Sequence, residues 1–217
     1  MVSAEVSSVS VPCFRVADSR RAFALLCGNF YENPANALTL VGITGTNGKT
    51  STSYMLDHCL RACGIKTGLI GTVHTDDGIH SGTSTLTTPE PAVLHRIFAE
   101  ALRHGCTHTV MEVSSQSLDQ SRTAGIEFEL GIFTNLTVDH LDYHGSMQSY
   151  RDAKLKLFSQ CRNGLVNADS DYAAPFLACP GARSFSAAHP ADFYARRIRM
   201  TGNGVSYLAC SPSGQRE

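Results

Sequence analysis

Residues 39 to 56, TLVGITGTNGKTSTSYML, run from a short apolar segment through a glycine-rich turn into an amphipathic helical pattern. This order of strand, turn and helix is what a phosphate cradle requires. Gly45 and Gly48 allow a sharp turn in which backbone N–H groups converge on phosphate oxygens, and the following helix adds the positive end of its dipole. Lys49 suits the β- and γ-phosphates, and the Thr50 hydroxyl suits a magnesium ion. The strict P-loop template places glycine five residues before Gly48, where this chain has Ile43; Gly42 lies one place too early. The loop is therefore a short variant, GTNGKT. The alternative is a glycine turn bearing a surface lysine, and the strand-to-helix context favours nucleotide binding.

The 217 residues, 42% of them hydrophobic, suffice for one large domain or for a domain with an appendage. A net charge of -1 gives no broad basic field, so nucleic acid is not an expected partner. No apolar run reaches the length of a membrane span. The opening MVSAEVSSVSVPCF has neither a basic leader nor a long apolar core, so the expected location is the cytoplasm, without membrane attachment. The eight cysteines include no C-x-x-C pair. Cys59 and Cys63, one helical turn apart, read as a packed face, and the thiols as free and buried.

Residues 1 to 12 read as loosely ordered, followed by an amphipathic helix over 18–31. Strands are then expected at 38–44, 66–72, 107–113, 128–133 and 164–167. Helices are expected at 49–62, 91–104, 117–123 and 147–159, with a short hairpin near 74–81. Apolar strands separated by helices imply an α/β fold: a mainly parallel sheet flanked by helices, with ligands at the carboxyl ends of its strands. Segments 192–199 and 203–210 read as a C-terminal β-hairpin.

Two strand ends carry candidate chemistry. Glu112, at the end of THTVM, is expected to face the loop side; magnesium bound to ATP would compensate a buried carboxylate there. A helix cap or an ion pair would satisfy it too, and both readings stay open. Beyond Phe133, the segment TNLTVDHLDYHGSM gathers Asn135, Asp139, His140, Asp142 and His144. Such a density of polar groups suits a catalytic loop, with a solvated loop as the alternative.

The ordered set GTNGKT, TTPE, MEVSSQSLDQSR, FTNLTVDHLDYHGSM and YRDAK resembles the central domain of the Mur ligases. Within them it resembles the branch that adds the third amino acid to UDP-N-acetylmuramoyl-L-alanyl-D-glutamate. The similarity runs from about Val11 to the C-terminus. It implies that Gly45, Thr46, Asn47, Gly48, Lys49, Thr50 and Ser51, together with Asn135, bind ATP. It further implies Thr50, Glu112 and His140 as Mg2+ ligands, and Thr87, Thr88, Ser114, Gln120 and Arg122 as contacts of the nucleotide-sugar peptide. Lys154 matches a lysine that the family carbamylates, and Lys49, His140 and Lys154 are the implied catalytic set.

The implied reaction activates the D-glutamyl carboxylate by phosphoryl transfer from ATP. The amine of a diamino acid, L-lysine or meso-diaminopimelate, then displaces phosphate from the acyl phosphate. The implied enzyme is a monomer of peptidoglycan precursor synthesis. One departure is Gln116, where many relatives have histidine. Residues 1–36 are expected to be a linker and remnant of a uridine-binding domain, and 37–217 an incomplete central domain, with the amino-acid-recognising third domain absent. Other readings are a non-catalytic nucleotide-binding fragment or interaction module, and a ligase of the folylpolyglutamate or cyanophycin type.

Overall fold

The computed structural model describes residues 13–202 and 204–216. The expected loose order of residues 1 to 12 lies outside the described residues. Helix α1, Ser19–Phe30, starts at Asp18, whose side chain accepts a hydrogen bond from Arg21 N at 2.9 Å. It buries Ala24, Cys27 and Gly28 and packs against α3, Pro91–Arg103. A 3-10 turn, Pro34–Ala37, then delivers the chain to the sheet.

Strand β1, Thr39–Thr44, is central and almost wholly buried, as its apolar run requires. It pairs in parallel with β5, His108–Glu112, on one side and with β6, Phe128–Phe133, on the other. Beyond β5 lie β2, Thr67–Ile70, and the short hairpin β3, His74–Asp76, with β4, Ser81–Thr83. Beyond β6 come β7, Cys161–Asn167, and β8, Ala182–Ser186, in parallel. Strand β9, Phe193–Thr201, joins β8 in parallel, and β10, Gly204–Ser211, and β11, Gly214–Arg216, follow as antiparallel neighbours that complete that side. The sheet order is β11-β10-β9-β8-β7-β6-β1-β5-β2-β3-β4.

The alternation along β1 divides the core. Leu40 faces a large cluster with Phe98, Phe128, Phe133, Tyr150, Leu157 and Phe176. Val41 and Ile43 face a smaller one with Leu69, Val110 and Ile132, covered by Tyr54, Leu56 and Leu60 of α2, Lys49–Ala62. The large cluster lies beneath α3, α6 (Met147–Phe158) and α7 (Ala173–Leu177). At Gly42 an added Cβ would approach Leu157 Cδ1 and Phe128 Cδ1 to 3.0 Å, so glycine lets α6 lie close on the sheet.

Several local expectations change. The helix expected at 117–123 is α4, Ser115–Asp119, because the Ser114 hydroxyl caps it by accepting from Ser117 N at 3.2 Å. The strand expected at 164–167 begins at Cys161, paired with Phe128 of β6. Helix α5, Leu141–His144, and α7, β8 and β11 are additional. The thiols are free, but Cys13, Cys59 and Cys63 are exposed rather than buried. Cys59 lies on the outer face of α2 and Cys63 on its C-cap. Among the described residues no helix is long and apolar enough to cross a membrane.

Candidate functional site

The turn after β1 is held open by the segment after β6. Gly45 has φ +151° and its ideal Cβ would overlap the Thr134 hydroxyl, so only glycine fits there. Thr46 N donates to Asn135 O and Asn47 N to Asn135 Oδ1, both at 2.9 Å. Thr134 Oγ1 and Asn135 Nδ2 donate to Asn47 O at 2.7 and 3.1 Å. The amides of Thr46 and Asn47 are thus engaged within the protein. Gly48, at φ +84°, caps α2, and the amides from Gly48 to Ser51 fall in the first turn, where the helical ladder supplies no acceptor. Those are the donors available to a phosphate.

Two lysines converge on the same carbonyl. Lys49 Nζ donates to Gly45 O and Thr46 O, both at 2.8 Å, and Lys154 Nζ donates to Gly45 O at 2.9 Å. Lys154 is 1% exposed and stands 4.4 Å from the centre of the Tyr150 ring. Burial, and then the neighbouring charge of Lys49, lowers its pKa to about 7. Burial lowers that of Lys49 as well, opposed by Glu112 and Asp139.

Glu112, fully buried, sits below the first turn of α2. Its Oε2 accepts from Thr50 Oγ1 at 2.9 Å and Thr72 Oγ1 at 3.0 Å, and its Oε1 from Thr72 N at 2.9 Å. None of the ion pairs among the described residues includes it. A buried carboxylate surrounded by neutral hydroxyls, beside a glycine turn with free helix N-terminal amides, fits a hard divalent cation.

His140 adopts the left-handed conformation, φ 52°, at the start of α5. Its side chain is 44% exposed, 3.6 Å from Asp139 Oδ2, and its ring meets that of Tyr150 edge-on at 5.9 Å. The Tyr150 hydroxyl lies 3.2 Å from Thr46 Oγ1, which ties the histidine loop to the phosphate turn.

The remaining positions form a second group. Thr87 Oγ1 lies 3.0 Å from Thr72 Oγ1. The buried Thr88 hydroxyl donates to Glu112 O and accepts from Ser114 N. Arg122 donates to Thr88 O at 2.9 Å and twice to Gln120 Oε1, and it pairs with Glu90 at 2.9 Å. Ser51 is exposed on α2, and Gln116 accepts from Ser115 Oγ at 3.3 Å.

Against known families, the description Mur ligase middle domain matches residues 43–217. This chain belongs to that family. The chain is 42% identical to the UDP-N-acetylmuramoyl-L-alanyl-D-glutamate--2,6-diaminopimelate ligase of Geobacillus kaustophilus (strain HTA426), over 95% of the chain and 45% of that protein. It is 40% identical to the ligase of the same description from Halalkalibacterium halodurans, over 95% of the chain and 44% of that protein. The chain therefore spans about 45% of the length of these curated relatives. Among solved structures, a UDP-N-acetylmuramoyl-L-alanyl-D-glutamate--2,6-diaminopimelate ligase superposes with a TM-score of 0.84 at 23% identity. It covers 97% of this chain and 45% of the other. A folylpolyglutamate synthase of Mycobacterium tuberculosis superposes at 0.69 and 15% identity, covering 91% and 53%. At those identities the likeness is one of fold.

In this Mur ligase middle domain, sequence reasoning singled out neither Thr72, Thr134 nor Tyr150. Thr72 follows β2, and Thr134 follows β6. Both stand at carboxyl ends of parallel strands, which is the signal that could have found them. Tyr150 lies four residues before Lys154 on α6, the spacing that puts two side chains on one helical face.

Proposed function

We propose that this chain is the ATP-binding part of an ATP-dependent amide ligase that adds a diamino acid to UDP-MurNAc-L-Ala-D-Glu in peptidoglycan precursor synthesis. The observation that carries it is the Thr50–Glu112 pair lying under a glycine turn whose Gly45 carbonyl accepts from two lysines, Lys154 buried and Lys49 half-buried. The names of the relatives favour 2,6-diaminopimelate over lysine as the added residue. Residues 37–217 form the middle domain in this reading and residues 1–36 lead into it; the working location is the cytoplasm and the working form a monomer.

ATP phosphates would lie on the amides from Gly48 to Ser51, with Asn135 holding the turn open. Lys49 would leave the Gly45 and Thr46 carbonyls for the transferred phosphate, since an ammonium gains more from phosphate oxygens than from peptide carbonyls. Thr50, Glu112 and His140 would hold Mg2+, which supplies charge neutralisation as phosphate moves to the D-glutamyl carboxylate. Thr87, Thr88, Ser114, Gln120 and Arg122 would position that acceptor. The incoming amine attacks the acyl phosphate, the carbon–nitrogen bond forms and phosphate leaves. Catalysis here comes from positioning and charge, and no side-chain nucleophile is required.

Lys154, with a pKa near 7, keeps a large fraction of neutral amine at neutral pH, the form that combines with CO2 to give a carbamate. The N6-carboxylysine would reverse its charge and help position the metal.

The decisive assay measures ATP-dependent incorporation of diaminopimelate or lysine into the nucleotide dipeptide. Turnover supports the ligase. Magnesium-dependent ATP binding without turnover instead supports a nucleotide-binding module, and absence of both defeats the reading.

A further inference from the structure

A second cluster lies at the opposite end of the sheet from the phosphate turn. Asp77 follows β3, His80 precedes β4, and His104 forms the C-cap of α3, beside the amino ends of β2 and β5. Asp77 is 7% exposed. Its Oδ1 accepts from Ile79 N at 3.1 Å and His80 N at 2.8 Å and lies 3.0 Å from His104 Nδ1. Its Oδ2 lies 3.4 Å from His80 Nδ1, and the two imidazole rings meet edge to face at 5.2 Å. One donor atom from each residue lies within 4.8 Å of the other two.

Those separations carry the argument. A tetrahedral zinc ion with bonds of about 2.0–2.1 Å to nitrogen and oxygen places adjacent donors about 3.3 Å apart. The carboxylate reaches one imidazole through each oxygen, Oδ1 at 3.0 Å from His104 and Oδ2 at 3.4 Å from His80, both close to that value. An Asp–His pair that merely pinned the hairpin to α3 would need one imidazole. Here a second, with its side chain 74% exposed, faces the other oxygen of the same carboxylate. One divalent ion neutralises the carboxylate and engages both rings. Asp77 and His80 also line a cleft of about 410 Å3 with Ser81, Thr83 and Glu100, which leaves room for a water as fourth ligand.

We propose that Asp77, His80 and His104 bind a zinc ion that clips the β3–β4 hairpin to the C-terminal end of α3. The chain leaving β4 leads directly to Thr87, so the clip would anchor the segment that carries Thr87 and Thr88. The cluster is independent of the nucleotide site and of its assignment.

The test strips the full chain with a chelator and titrates it with zinc against a chromophoric competitor. A parallel Co2+ titration reads visible absorption for tetrahedral nitrogen and oxygen ligation. His80→Ala is the informative variant, because its exposed ring contributes little to packing. A 1:1 uptake is expected in the unaltered chain, weakened by about tenfold or more in His80→Ala, together with a zinc-dependent rise in thermal midpoint that the variant lacks. No uptake overturns the proposal. Equal affinity in both proteins also overturns it, since the metal would then sit on the exposed thiols or at Glu112.

Discussion

Thr50 donates its hydroxyl to Glu112 Oε2 across 2.9 Å, joining the first turn of α2 to the end of β5. The register of the sheet makes this contact possible. Ile43 of β1 is opposite Glu112 of β5, so the turn leaving β1 returns its helix directly over the carboxylate.

Glu112→Gln keeps the shape of the side chain and removes its charge. Magnesium-dependent ATP binding is expected to weaken by about tenfold or more, about 1.4 kcal/mol, while thermal stability changes little. Calorimetric titration with and without magnesium checks this. Unchanged magnesium dependence would remove Glu112 from the metal site.

Lys49→Ala removes the ammonium that reaches Gly45 O and Thr46 O. Loss of ATP binding or turnover is expected with the secondary structure intact, read by nucleotide titration and circular dichroism. Retained affinity and turnover would mean that the turn works without its lysine.

Lys154 couples stability to pH. Its pKa is about 7 in the folded chain against a reference value of 10.5, so between those values the unfolded chain binds more protons. Stability should therefore rise as pH goes from about 7 to about 10.5, with the cost of burying the ammonium fully felt below 7. Lys154→Met should be more stable than the unaltered chain at pH 6 and should show a shallower slope. Lys49, shifted in the same direction, retains part of it. Urea midpoints across pH in CO2-free buffer read this, and an unchanged slope in the variant would assign the dependence elsewhere.

Gly45→Ala places a methyl on the Thr134 hydroxyl at a backbone angle of φ +151°. The backbone term alone costs ~1–3 kcal/mol, and displacement of Thr134 should weaken nucleotide binding as well. If Gly45→Ala melts with the unaltered chain, the turn has a less constrained conformation than described.

The parallel centre of this fold was legible because β1, β5 and β6 are buried on both faces and read as near-continuous apolar runs. Boundaries failed where a side chain set them. Ser114 starts α4 through its own hydroxyl, and the 117–123 pattern gave no hint of that cap. Cys59 and Cys63 share helical spacing with a buried face, yet Cys59 lies on the outer side of α2, whose inner side is Tyr54, Leu56 and Leu60, and Cys63 is exposed at its C-cap. At the candidate site, Lys49, Thr50 and Glu112 were singled out by motif chemistry, Glu112 with a structural alternative beside it. Thr72 and Thr134 were not, because a lone threonine at a strand end has no pattern until the sheet brings its neighbours together.

The bare Cα of Gly42 has a reach beyond its own strand. Leu157, the residue it accommodates, is one helical turn after Lys154 on α6. The strand floor thereby sets how deeply the amine is seated, and a single methyl added from beneath would lift the helix and retune the reactivity of the lysine without altering any residue of the nucleotide loop.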